Sequence, residues 1–221
     1  LSVEEADAIL GSPVGRPKSG AFRLMDLVGL DVAVHINSNL YEVIPDDECR
    51  EVFAPSPLLN KLVERGSCGS KTSEGFYKKT KDESGKTAIL VLDLESLDYQ
   101  TGKKVDLPTL KAAKGYADLG ERLRFLVAQD DKVGQCVWKL LSATLCYAAN
   151  RVPEISDDLQ SIDEAMCWGF GWEMGPFALW DALGVREFVE RLEAEERPVP
   201  EWVKAMLASG RETFYGAEDK Q

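Results

Sequence analysis

One short stretch occurs twice in this chain of 221 residues. The first copy is Gly20-Ala21-Phe22-Arg23-Leu24-Met25-Asp26-Leu27-Val28-Gly29-Leu30. The second is Gly175-Pro176-Phe177-Ala178-Leu179-Trp180-Asp181-Ala182-Leu183-Gly184-Val185. Gly, Phe, Leu, Asp and Gly coincide in place, and most other positions stay apolar. An internal repeat of this kind means one supersecondary unit used more than once, so it decides the architecture before any other feature is weighed. Each copy reads as a helix of about two turns. Pro176 suits a first helical position, where no N–H partner is needed. Gly29 and Gly184 stand where a helix C-terminus takes a left-handed residue. Apolar residues cover most of the surface between, which predicts a buried helix in both copies.

Each copy carries one acid in that apolar setting, Asp26 and Asp181. A buried carboxylate must be paired or hydrogen-bonded. Two readings follow: it accepts backbone N–H groups or caps a neighbouring helix, or it is a catalytic carboxylate. Duplication favours the first.

The repeat extends to both sides. Ser2-Val3-Glu4-Glu5 has the form of a capping box, Ser followed three residues later by Glu, and Ser161-Ile162-Asp163-Glu164 has the same form. Downstream, Gly75-Phe76-Tyr77 closes the first copy and Phe214-Tyr215 the second. The motif order gives a first helical repeat at residues 1–79, an intervening segment at 80–130 and a second repeat at 131–221. Within the first repeat, Asp31 can N-cap a helix whose Val32, His35, Ile36, Leu40 and Val43 share one face. Ser56-Pro57 starts another helix, which Gly66 stops. Lys78 to Lys86 is charged and reads as a surface loop. Ala88-Ile89-Leu90-Val91-Leu92 and Leu97-Asp98-Tyr99 pair as a small β-hairpin. Asp131 to Asn150 is the longest helical pattern, and further helices follow at 157–168, 176–183, 185–194 and 201–209. The fold class is mainly α.

Net charge is −12, which disfavours nucleic acid and anionic membrane surfaces as partners. No run approaches the ~20 apolar residues of a membrane span. Five cysteines, none in Cys-x-x-Cys spacing, read as reduced thiols of a cytoplasmic protein. With those cysteines and one histidine, His35, a metal site is not expected. His35 reads as a packed or partly exposed structural residue. Trp168, Trp172 and Trp180 read as core rather than a ligand cage. Arg16, Lys18, Arg23, Lys71, Lys78, Lys79 and Lys81 gather around the first copy, as a solvated face or as a surface meeting a phosphorylated ligand or another domain. No Gly-x-Gly-x-x-Gly and no phosphate-binding P-loop occurs.

The sequences Gly15-Arg16-Pro17-Lys18-Ser19-Gly20-Ala21-Phe22, Leu24 to Asp31, Gly69-Ser70-Lys71 and Gly75-Phe76-Tyr77 resemble the C-terminal domain of 3-hydroxyacyl-CoA dehydrogenases. Ile162 to Met166 and Gly171 to Phe177 resemble the same domain a second time. Tandem copies are similar to those of bacterial multifunctional β-oxidation proteins. The resemblance implies two copies of the helical domain seen at the C-terminus of 6-phosphogluconate dehydrogenase.

It also implies oxidation of (S)-3-hydroxyacyl-CoA to 3-oxoacyl-CoA, with a Glu-oriented His as base and NAD as hydride acceptor. In that family both the His–Glu pair and the NAD site belong to an upstream Rossmann domain. No catalytic, cofactor-binding or metal residue is therefore expected in this chain, which alone should be inactive. The substrate-binding residues implied are Pro17, Lys18, Ser19 and Phe22, and Lys71 is expected at a domain interface. Partners implied are the acyl-CoA substrate, the Rossmann domain and a fused enoyl-CoA hydratase. An apolar groove left by a missing first helix would promote self-association. Two other classes stay open: the helical half of a different hydroxy-acid dehydrogenase, and a non-catalytic helical interaction module.

Overall fold

The computed structural model describes residues 1–82 and 84–216. They fall into two compact units, Leu1–Ala8 with Ser19–Asp106, and Ile9–Lys18 with Leu107–Gln221.

The first unit holds α1 (Val3–Ile9) except its last residue, α2 (Phe22–Val28), α3 (Leu30–Val43), α4 (Pro57–Glu64) and strands β1 (Tyr77–Lys81), β2 (Thr87–Leu92) and β3 (Tyr99–Thr101). Ser2 and Glu5 form the expected capping box: the Glu5 N–H donates to the Ser2 hydroxyl at 3.2 Å, and the Ser2 N–H to the Glu5 carboxylate at 3.1 Å. Ser56 caps α4 from the Leu59 N–H, with Pro57 in the first turn. The core gathers Val3, Leu30, Leu59, Leu62, Phe76, Val91 and Leu92.

The expected hairpin is part of a three-stranded antiparallel sheet, in the order β1-β2-β3. Tyr77 faces Val91 and Lys81 faces Thr87 on one side, and Leu92 faces Tyr99 on the other. The segment read as a loop from Lys78 thus begins as a strand. Its lysines disguise it, yet lysine on an edge strand is what discourages a further strand from pairing there.

The second unit holds α5 (Pro108–Ala113), α6 (Leu119–Val127), α7 (Lys132–Asn150), α8 (Leu159–Phe170), α9 (Pro176–Leu183), α10 (Val185–Ala194) and α11 (Glu201–Ala208). Asp131 caps α7, accepting from the N–H groups of Val133 and Gly134 at 3.0 Å each. Aromatic rings in contact run through its core: Trp138 on Phe188, Phe188 on Trp180, Trp180 on Phe214, and Phe214 on Phe177.

Five expectations are corrected. First, the repeated helix is buried in only one copy. In α9, Phe177, Leu179, Trp180 and Leu183 are buried, because α6 and α7 pack across it. In α2 only Asp26 is buried, while Leu24, Leu27 and Val28 are 44, 55 and 51% exposed. Helix α2 packs chiefly on α3 and the Ser70–Thr72 turn, which leaves its other side uncovered. Second, the apolar face of α3 is not in the core: Val32, Ile36 and Val43 are exposed, and so is His35. Leu30 and Val34 face the core instead. Periodicity finds an apolar face without saying what covers it.

Third, Asp31 lies inside the first turn of α3, after Gly29, and its carboxylate receives Lys71. Fourth, Ser161 does not open a helix. Asp158 is the cap of α8, accepting from the N–H groups of Gln160 and Ser161, because an aspartate three residues earlier supplies the acceptor first. Fifth, the three tryptophans do not share a core: Trp180 is fully buried, Trp172 half-buried, and Trp168 is 80% exposed.

Candidate functional site

The repeated acids each hold a closing motif. In the first unit, Asp26 is 1% exposed. Its two oxygens accept the N–H groups of Phe76 and Tyr77, both at 2.8 Å. A second carboxylate works beside it. Asp7 of α1 accepts from the N–H groups of Ala21 (2.8 Å), Phe22 (2.6 Å) and Arg23 (3.0 Å), and from the Tyr77 hydroxyl (2.7 Å). Helix α2 has no side-chain cap of its own, so Asp7 caps it from outside.

The second unit repeats this arrangement with one bond fewer, since Pro176 stands where the first copy has Ala21 and has no N–H to donate. Asp163 of α8 accepts from the N–H groups of Phe177 and Ala178, both at 2.8 Å, and from the Tyr215 hydroxyl at 2.9 Å. Asp181 accepts from the N–H groups of Phe214 (2.7 Å) and Tyr215 (3.1 Å). Asp7 therefore corresponds to Asp163, Arg23 to Ala178, Asp26 to Asp181 and Tyr77 to Tyr215. Backbone must come close to these acids. A Cβ added at Gly20 would stand 2.6 Å from the Asp7 Cα, and one at Gly175 2.3 Å from the Asp163 Cα. Only glycine fits either place.

Burial pushes the Asp26 carboxyl above its ordinary range, partly offset by the Tyr77 and Phe76 amides and the Arg23 charge. Burial does the same to Asp163, against the Phe177 and Ala178 amides and the Tyr215 hydroxyl, with the Asp181 charge adding to the rise. Burial, then the neighbouring acid, raises both tyrosines. These acids hold backbone, as the first of the two readings had it. Sequence reading missed Asp7 and Asp163. Each lies five residues after its helix cap, Ser2 or Asp158, and the misplaced Ser161 box hid that shared spacing.

The residues expected to meet substrate are divided between the units. Pro17 and Lys18 are exposed and belong to the second unit's segment Ile9–Lys18. Ser19 and Phe22 belong to the first, where Phe22 packs edge-on against Phe76 at 4.5 Å. Lys71 pairs with Asp31 at 2.5 Å and draws that carboxyl below its ordinary range. The Ile9–Lys18 segment is tied within its unit by the Glu173 N–H on the Gly15 carbonyl (2.9 Å) and the Arg122 Nε on the Pro13 carbonyl (3.0 Å). Arg16 lies over the Trp172 ring at 3.5 Å, and its buried Nη2 has no hydrogen-bond partner. Burial pushes its pKa down to about 10.

The first unit exposes several apolar side chains on the neighbouring helices α2 and α3. Leu24, Leu27 and Val28 project from α2, and Val32, Ile36 and Val43 run the length of α3. Exposed apolar side chains grouped on adjacent helices are the kind of feature that marks an interaction surface.

Residues 1–79 match the family model for the 3-hydroxyacyl-CoA dehydrogenase, C-terminal domain. The chain is 44% identical over 217 residues to a Bacillus subtilis (strain 168) protein named "Probable 3-hydroxyacyl-CoA dehydrogenase", covering 98% of this chain and 27% of the relative. It is 28% identical over 201 residues to a Rickettsia felis protein whose name describes a fatty acid oxidation complex trifunctional enzyme, covering 89% of this chain and 26% of the relative. The chain thus spans about a quarter of the length of these curated relatives. Its fold is similar to a crystal structure of 3-hydroxybutyryl-CoA dehydrogenase from Escherichia coli K12, with a TM-score of 0.52 at 19% identity. That match covers 93% of this chain and 55% of the other. Among the described residues, no helix is long and apolar enough to cross a membrane.

Proposed function

We propose that this chain is the substrate-side and assembly part of an NAD-dependent (S)-3-hydroxyacyl-CoA dehydrogenase of fatty-acid β-oxidation. The 44% identity to a named dehydrogenase along nearly the whole chain carries the reading. In it, residues 1–79 and 131–221 are tandem copies of one helical domain, and the matching carboxylate clamps support that division. Pro17, Lys18, Ser19 and Phe22 contribute to the acyl-CoA cleft, and Lys71 lies at a domain interface.

The residues present do not fit NAD. The three strands are antiparallel, whereas a dinucleotide fold needs parallel strands with a Gly-rich turn, and the sequence has no Gly-x-Gly-x-x-Gly. The dinucleotide and the catalytic base belong, in this reading, to further polypeptide that docks on the apolar α2–α3 face. The clamps hold backbone and take no part in proton transfer. The word trifunctional in the name of the Rickettsia felis relative supports fusion to further catalytic domains, an enoyl-CoA hydratase among them in this reading. The reading places the protein in the cytoplasm.

Calorimetric titration of the full-length parent with acetoacetyl-CoA tests the substrate class. Saturable binding is expected. Absence of binding overturns the reading in favour of a dehydrogenase for a smaller hydroxy acid or a non-catalytic helical module.

A further inference from the structure

The segments that follow α1 and α8 are counterparts. The spacing that carries Asp7 to Asp163 also carries Ser12 to Trp168, Pro13 to Gly169, Val14 to Phe170 and Gly15 to Gly171. Gly15 and Gly171 take the same left-handed conformation, with φ and ψ of 68° and 27° in one and 65° and 33° in the other. Both segments lie in the second unit, and they meet reciprocally. A Cβ added at Gly15 would stand 3.3 Å from the Glu173 Cβ, and one at Gly171 3.5 Å from the Pro17 Cγ; Pro17 and Glu173 are themselves counterparts. Between them, Arg16 lies over the ring of its own counterpart, Trp172. The Glu173 N–H donates to the Gly15 carbonyl, and the symmetric bond to Gly171 cannot form because Pro17 has no N–H. Contacts that pair in this way are the signature of a local two-fold axis.

The axis relates two surfaces, of which one is covered. Helix α6 lies across the Ser12–Val14 turn. Val14 is 1% exposed, the Leu119 side chain stands against Gly15, and Arg122 donates to the carbonyls of Pro13 (3.0 Å) and Ser12 (3.5 Å). At the counterpart surface Trp168 is 80% exposed and Phe170 64%. The uncovered side thus carries the larger apolar groups, and grouped groups of that kind mark an interaction surface. It is also the C-terminal end of α8, where carbonyls lack intrahelical N–H partners and the helix dipole favours a cation.

We propose that, in the full-length parent, Trp168 and Phe170 are covered by a helix of the polypeptide outside these 221 residues, seated as α6 is on the counterpart turn. Its contact face carries a leucine and an arginine three residues apart, as Leu119 and Arg122 are, since that spacing puts both on one face. The leucine packs against Gly171, and the arginine bonds the carbonyls of Trp168 and Gly169. A second copy of the chain does not serve, because its α6 is already engaged on its own Ser12–Val14 turn. The parent has length enough to supply the helix, since the chain makes up 27 and 26% of two curated relatives. The proposal rests on the reading of the chain as part of a longer dehydrogenase, but not on the substrate.

Hydroxyl-radical footprinting with mass spectrometry compares the isolated chain with the full-length parent. Oxidation of Trp168 and Phe170 should be at least tenfold slower in the parent. A parent carrying Trp168→p-benzoylphenylalanine should cross-link, on irradiation, to a helical segment outside the 221 residues that has leucine and arginine three residues apart. Less than tenfold protection overturns the proposal, as does a cross-link to a second copy, to this chain's own residues or to a segment without that pair. Footprinting uses the unsubstituted parent, so it decides even where the cross-linking variant does not fold. Neither readout involves substrate, so a failure here is distinct from a failure to bind acetoacetyl-CoA.

Discussion

The hydroxyl of Tyr77 donates to the carboxylate of Asp7 at 2.7 Å, across 70 residues of chain. The same carboxylate holds the N–H groups of Ala21, Phe22 and Arg23, so α1, the start of α2 and the end of the first copy meet at one acid. Removing the two ends of this contact should have unequal effects. Tyr77→Phe deletes one donor and should cost about 1 kcal/mol, whereas Asp7→Ala leaves several donors without an acceptor and should cost about 3 kcal/mol or more. Urea unfolding followed by circular dichroism measures both; equal losses would show that Asp7 does not organise this junction.

Protonation should act on two of the acids with opposite signs. The N-cap carboxylate Asp131 lies below its ordinary range, held there by Thr109 and the Gly134 and Val133 amides. A depressed folded pKa gives stability that is present above the unfolded value, ~3.9, and lost as pH falls through the folded value. Asp163 lies above its range, so its folded form takes up a proton first and folding gains as pH falls through that raised value. Carbon-13 NMR should find the Asp163 midpoint above, and that of Asp131 below, the ordinary carboxylate value. Asp131→Asn keeps the cap and should lose its share of the acid-induced decline in stability.

Arg16 spends a buried Nη2 on no acceptor and gains a stack on Trp172. An unmet buried donor costs about 1–3 kcal/mol, while a cation over an aromatic face gains about 0.5–2 kcal/mol. The terms nearly cancel, so Arg16→Met should stay within about 1 kcal/mol of the parent in thermal unfolding. A loss well beyond that would mean the arginine has a partner in solution.

Much of this fold is legible in the sequence, and the failures share a cause. Ser2, Ser56, Pro57, Asp131 and Pro176 mark helix starts through local chemistry, and the structure places helices at each. The repeat singles out Asp26 and Asp181 as acids in an apolar setting; Asp26 is buried as that setting implies, whereas Asp181 is only half-buried. What could not be read depends on contacts distant in sequence. The apolar stripes of α2 and α9 look alike, and only the presence of α7 over α9 tells a buried helix from an exposed one. Asp7 and Asp163 look like ordinary polar helix residues until the chain returns to them. Strand β1 is three-fifths lysine and is recognisable only through its partner β2.

The exposed apolar face of α2 and α3 predicts self-association of the chain when nothing covers it. Leu27→Asp and Ile36→Asp lie on that face, 55 and 49% exposed, and should change folding stability by no more than about 0.5 kcal/mol. Sedimentation velocity at high concentration should show association of the parent chain and a monomer for the double variant. A parent chain that stays monomeric at every concentration would remove self-association from the account.

The most direct measurement is NADH formation from (S)-3-hydroxybutyryl-CoA and NAD by the full-length parent, with and without Leu27→Asp and Ile36→Asp. The account predicts turnover by the parent, at least a tenfold loss in the double variant, and no turnover by the 221-residue chain alone. A parent without turnover, a double variant as active as the parent, or turnover by the chain alone would contradict it.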